Sequence, residues 1–423
     1  MRTRTLHYGW IVAAVTFLVL LVGAGVRATP SILIVPWEHE FGWSAATISG
    51  AIAVNIFLYG MIGPFAVAVI ERFGLRRSVG ASLVVLAAGV ALTTLMRTPW
   101  QMTLLWGVLV GSGTGMLATV LGATVAGRWF TRHRGLVLGV LTASSATGQL
   151  VFLPMLASVA VNFGWRAVSL IVAAVALLLI PLVVLLMRDR PSDLGLPRYG
   201  DTALHYADPR GGNPARRALS ALASGARSRD FWLLSGTFFI CGASTNGLIG
   251  THLIPACIDH GIPEVAAAGL LAMMGFCDLI GTTASGWLTD RIDSRKLLAW
   301  YYGFRGLSLL FLPYAFNFTF YGLSLFAVFY GLDWIATVPP TVRLAGKAFG
   351  EENAAIMFGW IAAAHQIGAA SAAWLAGVLR TDTGDYFSAF ILAGLLALLA
   401  AVMATFIGSG TKRPLVVAPA AAD

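Results

Sequence analysis

The sequence predicts an all-α membrane protein of twelve transmembrane helices, arranged as two halves of six helices each. Of its 423 residues, 58% are hydrophobic and only 11% are charged, whereas a soluble domain carries about 25% charged residues. So few charges cannot cover a water-exposed surface, so a lipid bilayer is the expected solvent. Two further observations define the arrangement: a series of long apolar runs, and a charged turn that recurs half a chain apart.

The apolar runs are the predicted membrane helices. Each is close to the roughly 20 residues that span a bilayer, and each is continuous, which excludes the alternating pattern of a membrane β-barrel. The N-terminal half, 8–187, holds runs at roughly 10–35, 46–70, 78–96, 100–126, 135–160 and 165–187. The C-terminal half, 231–408, holds runs at roughly 231–254, 263–288, 296–314, 318–341, 354–379 and 386–408. A cytoplasmic central loop, 188–230, is predicted between the halves, and a cytoplasmic tail, 409–423, follows them.

A charged turn occurs once in each half. The first copy contains Glu71-Arg72 and Arg76-Arg77, and the second contains Asp290-Arg291 and Arg295-Lys296, at an offset of 219 residues. Two halves with matching turns predict parallel repeats, as in transporters whose halves rock about a site near the membrane midplane. We expect the turns to lock the inner gate in one state through Glu71, Arg72, Arg76, Asp290, Arg291 and Arg295.

The distribution of lysine and arginine predicts the orientation. If both termini are cytoplasmic, 23 of the 28 Lys and Arg residues fall on the cytoplasmic side and three on the outside, as the positive-inside rule requires. This distribution also explains the net charge of +9 without a nucleic-acid partner. The expected location is the plasma membrane of a bacterium, its inner membrane, with the chain as a multi-pass monomer surrounded by lipid.

Several short motifs resemble those of a known family. The second turn, GWLTDR over 286–291 followed by Arg295-Lys296, resembles the cytoplasmic signature of the major facilitator superfamily. Within it, the chain is similar to the monocarboxylate transporters and the bacterial oxalate/formate exchangers. The shared features are YGW at 8–10, FGWS at 41–44, RWF at 128–130, and GLDW at 331–334 ahead of Pro339-Pro340. The resemblance implies the major facilitator fold and secondary transport.

The resemblance also implies positions for the substrate site. Those transporters carry an arginine in the eighth helix, or a lysine in the eleventh, for the substrate carboxylate. This sequence has Thr282 at the arginine position and His365 at the lysine position, while it keeps the family's acid as Asp278. The implied pocket has the family's layout, but its strongest cation must lie elsewhere.

Ionisable residues inside predicted helices are candidate site residues, because a charge at membrane depth costs ~2.5–3.5 kcal/mol on insertion scales. Arg27 can bind a carboxylate through two hydrogen bonds; snorkelling, or an ion pair with Asp278, is the alternative. Asp278 and Asp333 are the candidate proton carriers. The alternative for Asp278 is a structural ion pair with a cation, and the alternative for Asp333 is to stabilise the kink that the paired prolines cause in the tenth helix. His365 can donate to an anion or join two helices. Arg305, in the ninth helix, is expected to be structural.

Neutral polar residues at similar depth complete the predicted pocket: Asn55, Tyr59, Gln149, Asn246 and Thr282. Asn55 and Tyr59 are four residues apart and therefore share a helix face, although such residues also serve as packing contacts between helices. Cys241, Cys257 and Cys277 lack the spacing of metal ligands, so no metal or cofactor is expected. No nucleophile–base set suggests an enzyme.

The predicted function is secondary active transport of a small organic anion, a monocarboxylate, by alternating access with proton coupling. Arg27 and His365 would supply positive potential, and Asp278 or Asp333 would carry the proton. The alternative is a proton-driven exporter of a lipophilic compound, which the many aromatic residues and the scarcity of pocket cations would suit.

Overall fold

The computed structural model describes residues 7–117, 119–203 and 214–408. Within them the chain is helical and contains no β-strand, only an isolated bridge between Phe130 and Tyr199. Ten of the described spans are long and apolar enough to cross a bilayer. Two further long helices, Arg134–Phe163 and Ser294–Ala315, complete the twelve. The predicted all-α membrane fold is therefore confirmed; the middle of the central loop and the tail lie outside the described residues.

The N-terminal half consists of six helices. They are helix 1 (Tyr8–Ala28, continued by Pro30–Phe41), helix 2 (Ala45–Phe73), helix 3 (Leu75–Thr93), helix 4 (Pro99–Met102, Thr103–Val110, Gly111–Met116 and Thr119–Trp129), helix 5 (Arg134–Phe163) and helix 6 (Trp165–Leu186). A short 3-10 helix (Pro191–Leu194) and a surface helix (Pro214–Gly225) follow.

The C-terminal half repeats the pattern. It consists of helix 7 (Arg229–Gly242, Ala243–Ile249 and Gly250–Asp259), helix 8 (Glu264–Thr289), helix 9 (Ser294–Ala315), helix 10 (Thr319–Asp333 and Val338–Phe349), helix 11 (Glu351–Thr383) and helix 12 (Phe387–Thr405). A 3-10 turn, Phe316–Phe318, joins helices 9 and 10.

The first and fourth helices of each half are interrupted. Helix 1 is divided at Thr29, directly before Pro30. Helices 4 and 7 each contain a π-helical segment, and helix 10 is broken between Asp333 and Val338. The break lies just before the paired prolines, which fall in the first turn of the second segment. A proline is tolerated there because the N–H groups of the first turn have no partner inside the helix, so the missing proline N–H removes no hydrogen bond. Interrupted helices at matching positions of two repeats are typical of transporter binding sites.

Helices 1, 2 and 5 of the first half pack against helices 7, 11 and 8 of the second. One end of this assembly carries the 2–3, 4–5, 8–9 and 10–11 turns and the start of helix 1; we call it the basic face. The opposite face carries the 1–2, 7–8 and 11–12 turns. At the basic face, Trp360 Nε1 donates to the carbonyl of Ala218, 2.8 Å away, which anchors the surface helix of the central loop onto helix 11.

Two of the recognised motifs form one aromatic cluster at the basic face. The ring of Trp10 lies 5.1 Å from that of Phe130 and 5.7 Å from that of Tyr199, centroid to centroid. The hydroxyl of Tyr8 donates to the carbonyl of Leu186, 2.9 Å away. The YGW and RWF motifs therefore tie the start of helix 1 to the ends of helices 4 and 6, which is a structural role.

Candidate functional site

A cavity of about 60 Å³ lies between the two halves. Helices 1 and 2 line it from the first half, and helices 7 and 11 line it from the second. Four of the predicted site residues meet there: Arg27, Asn55, Tyr59 and Asn246. The polar residues that line it without having been predicted are Ser31, Thr251 and Gln366. We call this space the central cavity.

Arg27 is the cation of the central cavity. Its guanidinium carbon lies 4.5 Å from the centroid of the Tyr59 ring, a cation–π contact. Among the described residues, this side chain makes no ion pair and no hydrogen bond. The lining contains no acidic residue. An unneutralised guanidinium inside the membrane is a strong attractant for an anion, because guanidinium stays charged at any depth.

Asn55, the amide that the first half contributes to the cavity, also holds two helices together. Asn55 Nδ2 donates to the carbonyl of Trp106, 2.7 Å away. Trp106 belongs to the π-helical segment of helix 4, where the backbone hydrogen-bond ladder is shifted and carbonyls can take side-chain donors. Asn55 therefore fixes helix 2 against helix 4.

The second half contributes Asn246 and Gln366. Asn246 sits in the π-helical segment of helix 7, and such segments occur frequently at functional sites. Gln366 reaches the cavity because helix 2 has Gly60 opposite it: a Cβ at Gly60 would come within 2.3 Å of the Gln366 Cβ. This close approach of helices 2 and 11 brings both halves to the same ligand space.

Asp278 and Thr282 lie within the C-terminal half and do not line the central cavity. Asp278 Oδ1 accepts hydrogen bonds from Thr282 Oγ1 and from the backbone N–H of Ile335, both at 2.8 Å. Ile335 lies in the break of helix 10, so this carboxylate satisfies an N–H that the broken helix leaves free. The ion pair between Arg27 and Asp278, considered from sequence, is not formed.

Asp333 pairs with Arg305 in the same half. Arg305 Nε lies 2.8 Å from Asp333 Oδ2, and the two side chains are 0% and 8% exposed. Arg305 also donates to the carbonyls of Asp333 and Trp334 and, through Nη1, to Cys241 Sγ at 2.8 Å. Arg305 thus caps the carbonyls of the helix 10 break, the structural role expected for it. Neither residue lines the central cavity.

His365 turns away from the central cavity. Its ring centroid is 4.8 Å from that of Phe238 on helix 7, while the next residue, Gln366, lines the cavity. Its part in substrate binding remains a prediction, as do those of Asp278, Thr282 and Asp333. The side chain of Gln149 lies outside the described residues. Among the residues that are described, no His, Cys, Asp and Glu cluster could hold a metal ion.

On the opposite face, an ion pair joins the two halves, and a second one within the C-terminal half shares its arginine. Arg380 of helix 11 binds Glu38 of helix 1 through Nη1 at 2.7 Å and Asp259 of helix 7 through Nη2 at 2.8 Å. We call these three residues the opposite-face clamp. The three side chains are only 16–23% exposed, so water screens the pairs less than it would at an open surface. Nearby, Ala46 N donates to Thr381 Oγ1, 3.1 Å away, across the same interface.

We expect Arg380→Gln to weaken closure of the opposite face. The variant leaves Glu38 and Asp259 near each other without a cation, so the closed state loses two pairs and gains a like-charge repulsion. A fluorophore pair attached through Ala46→Cys and Thr383→Cys should report a longer mean distance than in the protein that keeps Arg380. Arg166→Gln, which breaks the Arg166–Glu40 pair inside the N-terminal half, is the matched control. An unchanged distance in Arg380→Gln would rule the clamp out as a closing element.

Each charged turn of the basic face contacts a segment close to its own half. Arg76 N donates to Asp189 Oδ1 at 2.8 Å, while Asp290 pairs with Arg343 at 3.2 Å. Arg295 holds Asp293 through side-chain and backbone hydrogen bonds, which lower the pKa of Asp293 to about 2. Asp293 therefore stays ionised at any physiological pH. The predicted lock between the two turns stays a prediction for another conformation.

Two groups of six helices, with a polar cavity between them and an ion pair across one face, indicate a secondary membrane transporter rather than an enzyme. Residues 15–342 match the family model described as Major Facilitator Superfamily. The chain belongs to this superfamily, as the second charged turn suggested.

Relatives cover nearly the whole chain. Monocarboxylate transporter 13 of Bos taurus is 27% identical over 92% of this chain and 86% of that protein. Monocarboxylate transporter 11 of Homo sapiens is 27% identical over 96% and 84%. The uncharacterized MFS-type transporter YcxA of Bacillus subtilis (strain 168) is 25% identical over 94% and 92%. The resemblance to the monocarboxylate transporters is thereby supported, at modest identity.

Solved structures show the same fold. A bacterial homolog of the human lysosomal transporter Spinster, inward-facing and occupied, superposes with a TM-score of 0.74 at 15% identity, covering 96% of this chain and 98% of that one. The xylose transporter XylE of E. coli, partially occluded and inward-open, gives 0.71 at 16% identity, covering 96% and 100%. At these identities the likeness concerns the fold alone.

Proposed function

We propose that the protein is a secondary transporter of small monocarboxylates, proton-coupled, in the inner membrane of a bacterium with the basic face toward the cytoplasm. The observation that carries the proposal is Arg27, an unpaired guanidinium that faces a polar cavity between the halves. The names of the monocarboxylate transporter relatives agree with it.

The composition of the central cavity favours one negative charge on the substrate. A single guanidinium neutralises one carboxylate, and the remaining polar lining is neutral: Ser31, Asn55, Tyr59, Asn246, Thr251 and Gln366. A second carboxylate would be desolvated without a counter-charge, which costs several kcal/mol. The same polar lining argues against the lipophilic exporter, because a lipophilic ligand would leave these hydroxyl and amide groups unpaired.

Alternating access would use the two faces in turn. In the conformation described, the opposite-face clamp holds the halves together on the outer side. Asp278 and Asp333 are the proposed proton carriers, because they lie beside the helix 10 break. A protonated Asp278 would accept the hydrogen bond from the Ile335 N–H less strongly than the carboxylate does. Proton binding would therefore weaken the contact that holds the broken segment of helix 10. The charged turns around Glu71–Arg76 and Asp290–Arg295 would close the inner side after the outer side opens.

Counterflow in proteoliposomes tests the substrate class. Vesicles loaded with an unlabelled monocarboxylate should accumulate the labelled one, and loading with dicarboxylates or neutral analogues of the same size should not support exchange. Exchange of lipophilic cations in place of acids would overturn the proposal.

The same vesicles test proton coupling through Asp278→Asn. An inward-directed proton gradient should drive accumulation by the wild type. Asparagine keeps an oxygen for the Ile335 N–H and the Thr282 hydroxyl but cannot carry a proton, so the variant should retain counterflow and lose gradient-driven accumulation. Equal gradient-driven uptake by both proteins would remove Asp278 from the coupling mechanism.

A further inference from the structure

A second, larger cavity opens on the basic face, between the N-terminal half and the start of the central loop. Its volume is about 510 Å³. The 2–3 turn, the end of helix 4 and the segment after helix 6 form its walls. It is separate from the central cavity and shares no residue with it. We call it the arginine cavity.

Arginine dominates the lining. Five arginines border the cavity, against three acidic residues: Arg72, Arg76, Arg77, Arg128 and Arg190 against Glu71, Asp189 and Asp193. Within the described part of the chain, none of the five guanidiniums makes an ion pair or a hydrogen bond. Arg72 makes a cation–π contact to Phe73, with 5.4 Å between guanidinium carbon and ring centroid, and Arg128 is attracted electrostatically by Glu71, Asp189 and Asp193.

Two of the acids, Asp189 and Asp193, accept hydrogen bonds from backbone N–H groups. Asp189 Oδ1 accepts from the backbone N–H of Arg76 at 2.8 Å, and Asp193 Oδ2 accepts from that of Arg190 at 3.0 Å. Asp189 reaches the start of helix 3 because Gly74 has a positive φ of +88° and no side chain; a Cβ there would lie 2.5 Å from the carboxylate. These two acids therefore hold turns in place, and because five arginines face three acids, the cavity keeps a net positive charge that can attract an external anion.

We infer that the arginine cavity binds a phosphate-bearing anion the size of a lipid headgroup. Guanidinium forks match phosphate oxygens in pairs, and a cavity of about 510 Å³ is far larger than a bare phosphate needs. Basic pockets between membrane helices on the cytoplasmic side take the phosphate of anionic lipids. A soluble phosphate ester presents the same group, and the experiment separates the two sources.

Bound there, the phosphate would join the 2–3 turn to the ends of helices 4 and 6. The aromatic cluster already connects the ends of helices 4 and 6 to helix 1, and Asp189 connects the segment after helix 6 to the 2–3 turn. The site shares no residue with the central cavity, so the inference stands whatever the transported substrate is.

The test uses the full-length protein in detergent and the double variant Arg72→Gln/Arg77→Gln. The control is Arg216→Gln/Arg227→Gln, which removes the same charge from exposed positions outside the cavity. Native mass spectrometry counts retained phosphatidylglycerol and phosphatidylcholine, and titrations with glycerol 3-phosphate and inorganic phosphate follow. Gel filtration confirms that each variant is folded, and Arg128→Gln gives an independent variant at the deeper wall.

Phosphatidylglycerol should be retained by the wild type and the control, and bound about tenfold or more weakly by the cavity variants, given the roughly fivefold contribution expected per arginine. Phosphatidylcholine should not be retained. If glycerol 3-phosphate alone binds with the same arginine dependence, the occupant is a soluble ester and the inference still holds. It is overturned if both lipids are retained equally, if the cavity variants match the control, or if neither phosphate source binds.

Discussion

Replacing Arg27 by alanine is expected to reduce monocarboxylate counterflow at least about a hundredfold. Arg27 is the cation of the central cavity and has no acidic partner to release. Hydrogen bonds to charged groups contribute about 1.5–3 kcal/mol each, and loss of a bidentate pair therefore corresponds to roughly two or more decades of affinity. Because a carboxylate that enters without the guanidinium is desolvated and unpaired, the loss should appear as failure to bind.

Two further variants separate charge from geometry. Arg27→Lys keeps the charge but offers a point donor instead of a planar fork and loses stacking on Tyr59, so we expect intermediate activity. Arg97→Ala removes an exposed arginine on the opposite face and should leave counterflow unchanged. The experiment measures initial rates over a range of substrate concentrations. Wild-type rates in Arg27→Ala would show that the unpaired guanidinium has no part in substrate binding.

Residue type and depth were sufficient to predict four of the polar residues that line the central cavity. Arg27, Asn55, Tyr59 and Asn246 are polar residues near the middle of apolar helices, and burial in lipid leaves such groups few places other than the interface between the halves. The same criterion could not show that Gln366 lines the central cavity and that its neighbour His365 does not. Successive residues of an α-helix point about 100° apart, so an alignment that fixes depth along helix 11 does not fix which of two neighbours faces the cavity.

The opposite-face clamp shows what pattern analysis could not reach. The sequence indicates only that Arg380 lies on the outer side, because nothing near it in the chain points to its partners. Glu38 is 342 positions away and Asp259 is 121 positions away. Their meeting depends on how helices 1, 7 and 11 cross at the opposite face, which is a consequence of packing. The break in helix 10 is similar: prolines predicted an interruption, but its capping by Asp278 and Arg305 requires the tertiary structure.

The largest expected effect on stability concerns the buried pair of Arg305 and Asp333. Arg305→Met leaves the Asp333 carboxylate unpaired and leaves the carbonyls of Asp333 and Trp334 without their donor. Breaking one partner of a buried pair costs about 3–5 kcal/mol. The free energy of unfolding, measured by titration with sodium dodecyl sulfate, should fall by that amount. A decrease below about 1 kcal/mol would show that the pair is not important for stability.

The double variant Arg305→Met/Asp333→Leu distinguishes a structural pair from a proton relay. Removing both charges eliminates the unpaired carboxylate, so stability should recover for the most part, and the two substitutions should be strongly non-additive. The Asp333 Oδ1 atom has no hydrogen-bond partner and is buried, which leaves one lone-pair site open to a proton. If Asp333 carries the coupled proton, the refolded double variant keeps counterflow but loses accumulation driven by a proton gradient. If gradient-driven accumulation survives with both charges gone, the pair serves only to hold the broken helix, and coupling must run through Asp278.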